Sequence, residues 1–166
     1  MKKLLGLLLF LGLAYTAQGQ NISKNALGLR LGDNKGFGTE VSYQRGLGSS
    51  NRLELDLGWR NNDNLSTYQL VGLYQWVWNI EGGFNWYAGV GGGLGSWSYN
   101  EKYYKGHYYD YNDESRTFVF AAGDIGVEYN FDIPLLISLD FRPQVGLVNY
   151  GNNSNFDIAL GIRYQF

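Results

Sequence analysis

The chain contains no cysteine, only two prolines, one histidine and one methionine in 166 residues. Without cysteine the fold has to hold with no disulfide, and no thiol is present near the N-terminus to carry a lipoprotein anchor. There is no run of basic residues, which excludes a nucleic-acid-binding protein. Beyond the first 14 residues no stretch approaches the ~20 apolar residues of a membrane helix. The 24 glycines and 17% aromatic residues, with so little proline, favour many strands joined by tight turns. The mean hydropathy of −0.27 is too polar for a helical membrane protein, but it suits a barrel in which every second residue faces a polar interior.

The N-terminus has the layout of a secretory leader. Lys2 and Lys3 precede an apolar core from Leu4 to Ala14, and Ala17-Gln18-Gly19 supplies a small-x-small cleavage pattern. Residues 1–19 are therefore expected to be removed, leaving 20–166 as one barrel domain. With Lys2 and Lys3 taken from the 13 basic residues, the remainder faces 15 acidic ones, a formal charge of about −4.

Read with a period of two, residues 26–166 divide into eight strands. The first, Ala26 to Gly32, sets Leu27, Leu29 and Leu31 against Gly28 and Arg30, and Asp33-Asn34-Lys35-Gly36 makes a turn. Phe37 to Arg45 forms the second. The third, from Leu53 to Arg60, sets Leu53, Leu55, Leu57 and Trp59 against Glu54, Asp56 and Arg60. In the fourth, Thr67 to Trp78, the row Tyr68, Leu70, Tyr74, Trp76 and Trp78 is assigned to the outside. Val71, Leu73 and Val77 then share the inside with Gln69 and Gln75. The fifth, Phe84 to Tyr99, turns Trp86, Val90 and Leu94 outward and Gly89, Gly91, Gly93 and Gly95 inward. The sixth (Arg116 to Phe131) and seventh (Leu135 to Val148) place Asp124, Glu128, Asp140 and Arg142 inside. In the last, Phe156, Ile158, Leu160, Ile162, Tyr164 and Phe166 share one apolar face, opposite Asp157 and Arg163.

A strand with one apolar and one charged face separates lipid from a wet interior. The aromatics cluster at strand ends. Tyr43, Trp76, Trp78, Trp86, Tyr129, Tyr164 and Phe166 are expected at the inner rim, and Trp59, Tyr68, Trp97 and Phe156 at the outer, as two interfacial girdles. The alternative is a soluble barrel of the lipocalin kind, whose apolar face points inward. Glycine, an aromatic and a terminal phenylalanine at Gly161, Tyr164 and Phe166 resemble the C-terminal assembly signal of bacterial outer-membrane barrels. Leader, strands, girdles and terminal motif together resemble the small outer-membrane barrel family of Gram-negative bacteria, the OmpA and OmpX type. The resemblance implies an all-β, eight-stranded, antiparallel up-and-down transmembrane barrel with both termini on the periplasmic side. It further implies an outer-membrane location, outer-membrane lipid and the barrel-assembly machinery as partners, and a monomer.

An eight-stranded barrel is just wide enough for its own side chains. Arg30, Arg142 and Arg163, with Glu54, Asp56, Asp124, Glu128 and Asp140, are expected to form an internal charge network; Arg60, Glu40 and Asp157 also face inward. Asp110, Asp113 and Glu114 match no calcium-loop spacing, so no metal or cofactor is assigned. The single histidine, His107, falls near the tip of the longest loop, away from Ser96, Ser98 and Ser115, and no catalytic residue is assigned. That loop is rich in tyrosine. Trp97, Tyr99, Tyr103, Tyr104, Tyr108, Tyr109 and Tyr111 form a candidate outer recognition hairpin for an extracellular protein or glycan. A narrow ion-conducting barrel and a lipid-modifying barrel enzyme are the competing functions.

Overall fold

The structure, a computed structural model, describes residues 22–32, 38–62, 65–99, 116–149 and 154–166. The expected leader, the Asp33–Gly36 turn with Phe37, and residues 100–115 with Tyr103, Tyr104, His107, Tyr108, Tyr109 and Tyr111 lie outside them. Eight strands form one closed antiparallel barrel in sequence order: β1 (Asn25–Gly32), β2 (Thr39–Gly46), β3 (Asn51–Asn62), β4 (Leu65–Glu81), β5 (Phe84–Tyr99), β6 (Arg116–Asn130), β7 (Leu135–Val148) and β8 (Ser154–Gln165). Closure is made by β1 and β8, paired from Ala26↔Gln165 to Gly32↔Ala159. Below them Asn25 and Phe166 exchange both backbone hydrogen bonds, at 3.1 and 2.9 Å. No strand edge is left unpaired, which is the condition for crossing a bilayer with strands.

β3 and β4 run longer than their apolar alternation, which spans only Leu53–Arg60 and Thr67–Trp78. The ladder continues past the apolar belt through polar positions such as Asn51 and Ser66, where alternation carries no signal. Three connections lie wholly among the described residues, and all are short: residues 47–50, Gly82-Gly83 and 131–134. In the second, Gly82 takes φ of +54°, a left-handed conformation that a two-residue hairpin turn demands and glycine adopts without steric cost. Asn79 Nδ2 donates to the carbonyls of Gly82 (2.9 Å) and Phe84 (3.2 Å) and braces the turn.

The outer face of the wall is apolar, whereas the inner face carries the charged residues together with an apolar patch. Leu55, Val90, Ile125, Leu139, Ile158 and Tyr164 stand 45–60% exposed on the outside. Arg30, Glu54, Asp56, Arg142 and Arg163, on the inside, are no more than 1% exposed. A lipocalin-type arrangement would reverse this. Such an apolar outer surface belongs in hydrocarbon, so the barrel is a transmembrane one. The fourth strand faces as its aromatic row indicates, with Tyr68 and Leu70 out and Val71, Leu73 and Val77 buried inside. At the inner rim the aromatic girdle is packed: Trp78 stacks on Trp86 at 4.3 Å, and Phe84 meets Tyr129 edge-on at 4.7 Å.

Trp97 corrects one expectation. It does not belong to the lipid-facing girdle but follows Gly93 and Gly95 on the inward row, half-buried against Val71, Leu73, Phe118, Phe120 and Ala122. The period-two parity of β5 outweighs the preference of tryptophan for the interface.

Candidate functional site: the barrel lumen

Because successive residues alternate between the faces, each strand delivers its polar row to one narrow interior. Among the described buried side chains this brings four guanidinium groups together with seven carboxylates, and Arg30 and Arg142 each engage three of them. Arg30, from β1, binds Asp140 of β7 through Nε (3.0 Å) and Nη2. Its Nη1 donates to Glu40 of β2 (2.9 Å) and Asp157 of β8 (2.6 Å). Arg142, from β7, reaches across to Glu40 at 3.2 Å, Glu54 at 2.9 Å and Asp56 at 2.6 Å. Arg163 of β8 donates to Ser42 (2.9 Å), Ser138 (2.8 Å) and Glu54 (3.2 Å). Three arginines on adjacent strands thus clamp carboxylates on β2 and β3 across the barrel. Planar five-donor guanidinium is the group suited to bridging several carboxylates at once.

A fourth arginine joins the network that alternation from Leu53 onward does not reach. Arg52, at the inner end of β3, donates through Nε to Gln75 at 2.6 Å and lies over the Tyr87 ring at 4.8 Å. Its Nη1 stands 2.7 Å from Glu128 Oε2, a close ion pair rather than an aligned hydrogen bond. Glu128 also accepts from Asn85 at 3.2 Å, so the inner mouth is cross-braced from β3 to β6. Gln75 continues the chain, donating to Glu54 (3.3 Å) and to Asp124. Arg60, at the outer end of β3, is half-buried.

Next to the charged network one wall of the lumen is apolar. Phe118 and Phe120 of β6 lie against the glycine row of β5. A Cβ placed at Gly93 would collide with the Phe120 ring, and one at Gly95 with the Phe118 ring. In the same way the Tyr87 ring occupies the space that a Cβ at Gly126 would need. The glycines are therefore sockets for aromatic rings on the neighbouring strand, the pairing by which bare glycine in a sheet is covered. On β5 it is Gly93 and Gly95 of the inner row that are covered in this way.

The inward side chains of the charge network, Arg30, Glu40, Arg52, Glu54, Asp56, Asp124, Glu128, Asp140, Arg142, Asp157 and Arg163, are 0–5% exposed, so side chains fill the lumen where they lie. At the inner mouth a cavity of about 10 Å³ between Gln44, Arg52, Asn85 and Glu128 has room for about one water. Among the described residues no group of His, Cys, Asp or Glu side chains is arranged to hold a metal ion.

The outer and inner rims hold the remaining sequence-derived sites. Gly161 is inside, where a Cβ would meet Ser138 and Arg163, whereas Tyr164 and Phe166 point outward, stacked at 6.3 Å. At the outer end the ladder of β4, β5 and β6 continues to Leu65↔Tyr99 and Trp97↔Arg116, with the Arg116 guanidinium 5.9 Å from the Trp97 ring centroid.

Comparison with known proteins agrees with this geometry. No family model and no curated relative matches the chain. Among solved structures it is similar to the N-terminal β-barrel domain of Pseudomonas aeruginosa OprF, with 16% identity over 90% of this chain and 100% of that one and a TM-score of 0.62. It is also similar to neisserial surface protein A, NspA, at 15% identity, 86% and 94% coverage and a TM-score of 0.59. A third is Ail, the attachment invasion locus protein of Yersinia pestis, at 15% identity, 89% and 99% coverage and a TM-score of 0.55. The chain has the fold of the small OmpA/OmpX-type outer-membrane barrels. At such identities the likeness is one of architecture, and the lumen network has to be understood from this chain's own residues. In a small barrel of this type the interior is packed structure, and the surface left for contact with other molecules is at the rims and loops.

Proposed function

We propose that the protein is a non-enzymatic outer-membrane component whose barrel is a closed scaffold for a Tyr-rich outer hairpin that recognises an extracellular protein or glycan. The observation that carries this reading is the continuous ladder of β4, β5 and β6 up to Trp97↔Arg116, immediately below that hairpin. A paired three-strand base gives the aromatic segment a rigid support, and rigid tyrosines lose little entropy on binding. Ail, named for attachment and invasion, shares the fold, which is in keeping with a surface-contact role. Removing Glu101 to Asp113 tests the proposal directly. The shortened protein should insert and resist heat as before, because the lipid-facing ladder supplies most of the stability, while binding to cells, matrix proteins or glycans is lost. Undiminished binding would overturn the assignment of Tyr103, Tyr104, Tyr108, Tyr109 and Tyr111 as the recognition surface.

The filled lumen speaks against the ion-conducting alternative. In planar bilayers the intact barrel should show no steady open state, since Arg30, Arg142 and Arg163 occupy the cross-section with their carboxylates. Regular single-channel steps altered by Arg142→Gln would favour conduction instead.

A further inference from the structure

One of the eight seams of the barrel is interrupted within its strands. β7 carries Pro143 in mid-strand, in a barrel that has no free edge where proline could be placed harmlessly. The direction in which Pro143 faces follows from the ladder itself. Gln165 N–H bonds to the carbonyl of Pro134, so even-numbered residues of β7 turn their backbone groups toward β8. Phe131 N–H bonds to the carbonyl of Leu135, so odd-numbered residues turn toward β6. Pro143 is odd, and its partner across that seam is Gly123. Proline has no N–H, so the Gly123 carbonyl loses its ladder donor.

The pairing bears the mark of this loss. Between β6 and β7 it runs to Ala122↔Gln144 and resumes only at Ile125↔Phe141. Toward the outer side a bulge follows at once, where Val119↔Val148 and Phe120↔Gly146 leave Leu147 unmatched. Three residue pairs are all that bridge the two defects. Inside the break, Asp124 Oδ1 and Arg142 Nε are buried without a hydrogen-bond partner. Outside it, the lipid face is thin, with only the Pro143 ring over Gly123 at 3.4 Å from where a Cβ would be. Six other seams run without an internal gap through their strands, and the β4–β5 seam is irregular only beside its turn, between Asn79 and Glu81.

We propose that the outer half of the β6–β7 seam is a lateral opening point, which unzips locally between Phe120 and Asp124 while the remaining seams stay paired. Opening there would bring the Asp124 and Arg142 side chains into contact with the membrane without disturbing the clamp formed by Arg30 and Arg163. Hydrogen exchange of the full barrel in lipid nanodiscs tests it. The amides of Ala121 and Val145, which pair across this seam, should exchange about tenfold or more faster than those of Tyr43 and Leu55, which pair across the β2–β3 seam. Pro143→Ala supplies the missing donor and should bring Ala121 and Val145 down to the Tyr43 level. An oxidised Ala121→Cys, Val145→Cys pair, the only cysteines in the chain, should do the same by cross-linking directly opposed residues. Equal protection of the two seams in the native barrel would overturn the proposal. So would fast exchange that neither Pro143→Ala nor the cross-link slows, because the opening would then not arise from this break.

Discussion

Arg142→Met is expected to be the most destabilising single substitution in the barrel. The side chain is fully buried and bonds three carboxylates, on β2 and β3, from the opposite wall. Removing it leaves Glu40 with Arg30 and Glu54 with Arg163, but takes from Asp56 the arginine 2.6 Å away. Breaking a buried ion pair from one side costs about 3–5 kcal/mol, chiefly because the abandoned charge stays buried. A urea titration of the barrel refolded into lipid vesicles should show a loss of that size, and the heat-resistant band on a gel should disappear at lower temperature. Stability within about 0.5 kcal/mol of the native barrel would mean the network contributes nothing net.

The same reasoning orders a small set of companion variants. Arg142→Lys keeps the charge but not the planar fork, so it should fall between native and Arg142→Met. Adding Asp56→Asn to Arg142→Met removes the stranded charge and should recover part of the loss. That recovery separates a true charge penalty from a packing defect: a cavity left by the arginine would be indifferent to the charge on residue 56.

The alternation that reveals the strands also assigns their faces, because a slip of one residue would place Leu53, Leu55 and Leu57 inside and Glu54 and Asp56 in lipid. Even the mixed β4 is legible once its aromatics are taken as an interfacial row. What alternation does not carry is the relation between strands distant in sequence. Arg52 looks like a turn residue until Gln75 and Glu128 are placed beside it. Phe118, Phe120 and Tyr87 look misplaced on a polar face until Gly93, Gly95 and Gly126 become their sockets. Trp97 carries two local signals that disagree, residue type and strand parity, and only parity is enforced by the backbone. Pro143 is visible in the sequence, but its consequence depends on which neighbour its nitrogen faces, and that is set by register across the whole barrel.

Phe166 allows assembly to be separated from stability. Its backbone closes the ladder with Asn25, at 3.1 and 2.9 Å, and any substitution other than proline keeps those donors and acceptors. The residue is 62% exposed at the rim, with its ring stacked on Tyr164. A charged residue at an interfacial, lipid-facing position of a barrel costs only about 0–1 kcal/mol. Phe166→Asp should therefore refold from urea into detergent nearly as well as the native chain. If Gly161, Tyr164 and Phe166 act as the signal read by the assembly machinery, the same variant should be depleted from outer membranes in cells, and far more than His107→Ala. The comparison must use a substitution and not a deletion, since deletion also removes the closing hydrogen bonds. A parallel fall in refolding and in cellular level would assign Phe166 to barrel closure instead. Normal levels of folded protein in cells would remove the basis for reading the motif as a signal.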